Sequence, residues 1–188
     1  IDTLSPGSAN RLVLAATAAA RGLTGHPFEL ASALKQFPNL RSRFLLAEAQ
    51  RLAQGGNLSA ALRQIEAFEA DHPTQSLRAG LLRVRVHRMA KANAEGLEVG
   101  NLVLQQTIER QTMSYGHAVL AEILRIEHAR NSRSGTRKAY KAVLTDNPVH
   151  AETLFLGATL MNDKVARKRL LEKAPGTRWA VQVRALAP

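Results

Sequence analysis

Four prolines cut this chain at intervals that suit paired helices. Pro38, Pro73, Pro148 and Pro175 each follow a helical hydrophobic pattern that ends one or two residues earlier. Proline cannot donate the next backbone hydrogen bond, and it drives its predecessor out of the α region, so each marks a helix end. The first two stand 35 residues apart, the next interval is 75 and the last is 27. A period near 35 fits the first interval once and the second about twice, and it leaves a shortened final unit. Repeats of that length are stacked supersecondary modules.

What lies between the prolines agrees with helix. Ala, Leu and Arg dominate, and these side chains lose little freedom on entering a helical backbone. Hydrophobic residues make up 45% of the chain, enough for a continuous core, while aromatics are only 4%. Alternating runs of Val, Ile and Thr, which strands require, are nearly absent. The expected fold class is all-α.

The clearest unit runs from Ser42 to Pro73. Leu45, Ala49 and Leu52 recur at helical spacing, then Gln54-Gly55-Gly56-Asn57 breaks the helix. Leu58, Leu62, Ile65 and Phe68 form the stripe of a return helix, whose first turn Asn57 or Ser59 can cap. A second unit spans His117 to Pro148, with Leu120, Ile123 and Leu124 before a break at Asn131-Ser132-Arg133-Ser134-Gly135, then Ala139, Tyr140, Val143 and Leu144. A third begins near Ala151, with Leu154, Gly157, Ala158 and Met161, a tight turn at Asn162-Asp163, and Val165, Ala166 and Leu170 before Pro175. A last helix near Thr177 to Ala187 carries Trp179, Val183 and Leu186 on one face, as the covered end of an open stack requires.

The Ser42–Pro73 stretch resembles a tetratricopeptide repeat: small Ala49, large Leu52, Gly56 in the turn, Ala61-Leu62, Ile65 and a closing Pro73. His117–Pro148 departs from that pattern at Leu124 and Thr136, where small residues are usual, and residues 150–175 match it with a shortened turn. Residues 8–38 and 76–112 match by length alone. The resemblance implies one domain over residues 1–188: a right-handed α-solenoid of about five units (8–38, 42–73, 76–112, 117–148, 150–175) with a capping helix over 177–187. It also implies a concave groove lined by the first helix of each pair, and a protein- or peptide-binding role. On that geometry Arg43, Gln50, Gln54, Glu122, Arg125 and His128 are the groove candidates, positions where polar side chains hold an extended peptide and Arg gives bidentate contacts.

Chemistry is harder to find. No cysteine is present, which removes disulfides, thiolate catalysis and Cys-ligated zinc. There is no Gly-rich phosphate loop, no His-Glu-x-x-His and no carboxylate pair in an apolar setting. Ser32-Ala33-Leu34-Lys35 has Ser-x-x-Lys spacing without a second supporting motif, and Asn57-Leu58-Ser59 is a glycosylation sequon that reads better as a helix cap. The six histidines lack the paired spacing of a metal site. Neither an enzyme, a metal nor a cofactor is expected. The chain opens on Ile1 rather than Met, which reads as loss of something upstream. Leu12–Ala20 is shorter than the roughly 20 residues of a spanning helix, so no membrane-spanning segment is expected.

The formal net charge is +11, which speaks to non-specific association rather than to a target. Three basic areas stand out: Arg78, Arg85 and Arg88; Arg133, Arg137 and Lys138; and Arg167, Lys168 and Arg169. Phosphates are their natural ligands, but the aromatics that stack on single-stranded bases are missing nearby apart from Tyr140. The leading expectation is a binding scaffold within a larger bacterial assembly, its compartment open between cytoplasm and envelope. The alternatives are a basic α-solenoid for nucleic acid or another polyanion, and a non-catalytic region of a larger enzyme. Homo-oligomerisation is compatible with each.

Overall fold

The computed structural model describes residues 41–186, and in them the protein is all-helical. The unit expected over 8–38, Pro38 and the Ser32–Lys35 pattern lie outside the described residues. Among those described are nine α-helices and no strand: α1 (Arg41–Gln54), α2 (Leu58–Asp71), α3 (Ser76–Met89), α4 (Asn93–Glu109), α5 (Met113–Ala129), α6 (Arg133–Asp146), α7 (Ala151–Leu160), α8 (Lys164–Lys173) and α9 (Arg178–Ala185). A single 3-10 turn, Pro73–Gln75, separates α2 from α3. None of these helices is long and apolar enough to cross a membrane.

Four of the reversals share one backbone device. Gly56, Lys91, Gln111 and Asn131 take left-handed φ values of 80°, 61°, 53° and 58° just past a helix end. The residue after each then donates its N–H five residues back, into the unpaired carbonyls of the last helical turn: Asn57 to Leu52 (2.8 Å), Ala92 to His87, Thr112 to Thr107 and Ser132 to Glu127 (2.9 Å each). This is the Schellman closure, and it satisfies acceptors that the helix end leaves without an intrahelical partner. Side chains cap the helices that follow. Asn57 accepts from Ala60 N, Ser132 from Gly135 N and Asp163 from both Val165 N and Ala166 N. The break foreseen at 131–135 is thus shorter than its polar sequence suggested, because Ser132 is a cap and Arg133, Ser134 and Gly135 already belong to α6.

Contacts divide the chain into two compact units, the first ending at Val99 and the second starting at Gly100. In the first, Arg41 at the start of α1 pairs with Asp71 at the end of α2 at 2.6 Å, so the two helices run antiparallel. Ala49, Ala53 and Ala61 are completely buried between them, beside Leu45, Ile65 and Phe68. Methyl side chains at these positions let the helices approach while Ile65 and Phe68 supply the buried area, each contributing about 1.5–3 kcal/mol. Helix α3 packs against both α1 and α2 and buries Leu77, Leu82, Val84 and Val86 on more than one side, as a helix apolar around much of its circumference must.

The second unit repeats this plan. Helices α5 and α6 are antiparallel, with His117 near the start of one and Asp146 at the end of the other, 2.7 Å apart. Helix α7 touches both, and α9 touches both α7 and α8. Leu154, Ala166, Leu170, Ala180 and Val183 form the core of the last three helices. Helices come close at Gly157, where a Cβ would come within 2.6 Å of the Tyr140 ring. The Tyr140 hydroxyl continues past it to donate to Asp163 Oδ2 at 3.1 Å. Burial and then the Asp163 carboxylate push the Tyr140 phenol up to about 12.

Two stability outcomes follow from this backbone. Lys91→Gly removes a side chain from the left-handed region and should raise unfolding free energy by about 0.5–1 kcal/mol in urea melts, whereas Gly56→Ala should lower it by about 1 kcal/mol. Gly157→Ala meets a ring that cannot retreat without losing the Asp163 hydrogen bond. It should cost about 1–3 kcal/mol, read the same way.

Candidate functional site

Within the second unit, a cleft of about 510 Å³ opens where the end of α5, the start of α6 and the end of α7 converge. The Schellman turn sets its rim by turning the chain at Asn131, so that His128 on α5 and Arg133 on α6 lie at the same end of the hairpin. One helical turn on, Arg137 stands on the same side of α6 as Arg133, as the i, i+4 spacing dictates. Thr136 joins them, its hydroxyl tied to the Ser132 carbonyl at 2.8 Å. Leu160 and Met161, at the end of α7, supply the apolar part of the lining.

The charge of this region is one-sided. Helix α6 carries Arg133, Arg137, Lys138 and Lys141, and its one carboxylate, Asp146 at the far end, is engaged by His117. Neither Arg133 nor Arg137 has an ion-pair or hydrogen-bond partner among the described residues, and both are exposed. Glu127 on α5 lies against the first turn of α6, where its carboxyl group occupies the space a Cβ at Gly135 would need. A negative charge there favours the positive end of the helix dipole.

Other guanidinium groups are consumed inside the fold. Arg41, Arg51 and Arg83 pair with Asp71, Glu48 and Glu69 at 2.5–2.6 Å. Arg125 bridges helices: Nη2 donates to Glu152 Oε1 on α7 at 2.5 Å, and Nη1 lies 3.3 Å from Glu122 Oε1 without hydrogen-bond geometry. Glu122 is only 3% exposed, so this pair sits in the packing between α5 and α7 rather than on an open surface. A buried charge needs such a partner, because leaving water costs more than an unpaired carboxylate can recover.

The remaining sequence candidates scatter. Gln50 is half-buried and Gln54 exposed at the end of α1, while the side chain of Arg43 lies outside the described residues. Arg78 is exposed, donates to Gln75 at 3.0 Å and covers the Phe68 ring at 5.6 Å. Arg85 and Arg88 are half-buried and engaged within the protein. On α8, Lys168 lies 3.9 Å from Glu172, with Arg167 half-buried and Arg169 exposed. Of the six groove candidates and nine basic ones, the structure therefore gathers His128, Arg133 and Arg137 around one cleft. Leu160 and Met161 were not singled out for such a site, since only tertiary packing brings the end of α7 to α6.

Two histidines, His117 buried and His150 half-buried, meet within the second unit. His117 and His150 have ring centroids 5.4 Å apart, and the His150 Nδ1 accepts the Thr153 N–H at 3.3 Å as the cap of α7. Burial, and then the neighbouring His117, push His150 below its ordinary value, with Glu152 opposing. Burial lowers His87 on α3 as well, against the pull of Glu95.

Comparison with protein-family models finds no match for this chain, and comparisons with curated proteins and with solved structures find none either.

Because both folded-state values are depressed, the neutral imidazoles stabilise the fold above the unfolded value near 6.5, and that stability is lost as pH falls through the folded values. The urea midpoint should hold between pH 8 and 7 and drop on going from about pH 6.5 to 5. His150→Asn keeps a capping side chain without a titrating ring, and should make the drop shallower.

Proposed function

We propose that this chain is an interaction module, built of stacked helical hairpins of the tetratricopeptide kind and holding a protein or peptide segment. In this reading the hairpins belong to a right-handed solenoid, α9 serves as its cap, and the module works within a larger bacterial assembly. The reading is supported by the packing order inside each unit, where the helix opening a pair touches both helices of the pair before it. Stacking of that sort buries each apolar stripe against a neighbour and leaves a rigid polar surface for a partner. The observation that carries the role is the cleft of the second unit, which joins unpaired guanidinium groups to an apolar lining. A mixed lining suits a peptide, which offers polar and apolar side chains together.

A second reading rests on the unpaired cations of α6 and on Arg167 and Arg169 of α8. A surface of that kind attracts the phosphates of nucleic acid or another polyanion. The two modes differ in their response to salt. Neutralising 6–10 phosphates costs about 10³–10⁵ in affinity between 50 and 200 mM salt, whereas a peptide held by few charges and by apolar contact loses far less.

Selection from a random peptide library, followed by affinity measurement of the enriched sequences at 50 and 200 mM salt, decides between them. The interaction-module reading expects enriched peptides whose affinity falls by no more than about tenfold across that range. A library that yields no binder, while polyuridylate binds with the steep polyanion dependence, would overturn it.

A further inference from the structure

We propose that the cleft between α6 and the end of α7 recognises an acidic segment of a partner protein, with carboxylate side chains on Arg133 and Arg137 and an apolar side chain on Leu160 and Met161. This deepens the interaction-module reading and rests on it. Three observations converge on that chemistry. The cleft's lining contains two arginines, a histidine and an asparagine, and no carboxylate. Both arginines are exposed and unpartnered among the described residues, although five other basic side chains, Arg41, Arg51, Arg83, Arg125 and Lys168, have found acids within the fold. And the thioether of Met161 with the Leu160 side chain gives the same opening an adaptable apolar surface.

Spacing narrows the ligand further. Arg133 and Arg137 lie one helical turn apart, about 5–6 Å between Cβ atoms. In an extended peptide, alternate side chains on one face are separated by roughly 6.5–7 Å. Two acidic residues with one residue between them therefore reach both guanidinium groups, each of which presents a planar fork matched to a carboxylate. The intervening residue and the two immediate neighbours point away from them, so the apolar contact with Leu160 and Met161 falls to a residue two positions beyond the acidic pair, on the same face. A bare polyanion fills the charged half of this site and leaves the apolar half empty.

The test uses the whole chain and three fluorescent probes, read by anisotropy at about 100 mM salt. The first is an end-blocked peptide, acetyl-Leu-Ser-Glu-Ser-Asp-Ser-Leu-amide, which places both acids and both leucines on one face of an extended chain. The second is its counterpart with Gln for Glu and Asn for Asp, and the third is a uridylate twelve-mer. End blocking removes the terminal carboxylate, so any preference reports on side chains. The acidic peptide should bind about tenfold or more tightly than the amide peptide, and R133E with R137E together should abolish that preference. Met161→Ser should weaken binding of the acidic peptide several-fold while preserving the preference for acid over amide. The arginine positions are exposed, and unchanged far-ultraviolet circular dichroism confirms that the fold is retained.

Equal binding of the two peptides, or an acidic preference that survives the double reversal, overturns the proposal. So does tight uridylate binding without peptide binding. If library-selected peptides bind but neither compete with the acidic probe nor respond to R133E with R137E, the cleft assignment falls while the interaction-module reading stands.

Discussion

Every three-residue link between helices passes through the left-handed region, and among the described residues this happens five times. One glycine, two asparagines, a lysine and a glutamine occupy the position, and those at 56, 91, 111 and 131 are each followed by the same backbone bond to the last turn. The antiparallel pairing of α1 with α2 and of α5 with α6 depends on that reversal. So does the placement of the cleft residues His128, Arg133 and Arg137, because the reversal at Asn131 fixes which residues of α5 and α6 share an end. Where the left-handed residue is not glycine, its side chain carries a conformational cost that glycine avoids.

Charge is handled differently on the two sides of these helices. Between them it is neutralised: Arg125 is held between Glu122 and Glu152. On α6 it is left uncompensated, with four cations that have no ion-pair partner among the described residues. The first arrangement fixes the angle between helices, since a buried ion pair tolerates little displacement. The second adds nothing to folding and costs some self-repulsion, so its value lies in what it attracts.

Much of the helical character could be read from the residues. Ala49 and Ala61 were recognisable as contact points between helices because small residues recur where large ones flank them, and both are fully buried. Proline and glycine announced the helix ends at Asp71, Asp146 and Gln54. The reversals at Lys91 and Gln111 were invisible, because neither residue is one that ordinarily signals a turn and the backbone bond that forms them leaves no mark in composition. Surface candidates were harder still. Glu122 and Arg125 read as polar residues on a free face, yet α7 packs over them, and a partner 27 residues away along the chain cannot be inferred from helical periodicity. Arg133 and Arg137 were visible as cations, but the opening beside them is made by the end of α7.

The core of α7 to α9 also contains Trp179, the chain's single tryptophan, stacked at 5.0 Å on Phe155 and covered by Arg178 at 4.2 Å. Its emission is therefore an optical tag on the terminal hairpin alone. It is blind to α1, α2 and α3, whereas circular dichroism weighs every helix equally. Heating the protein while following both signals separates a chain that melts in one concerted step from one whose two contact units come apart in turn, with no label added.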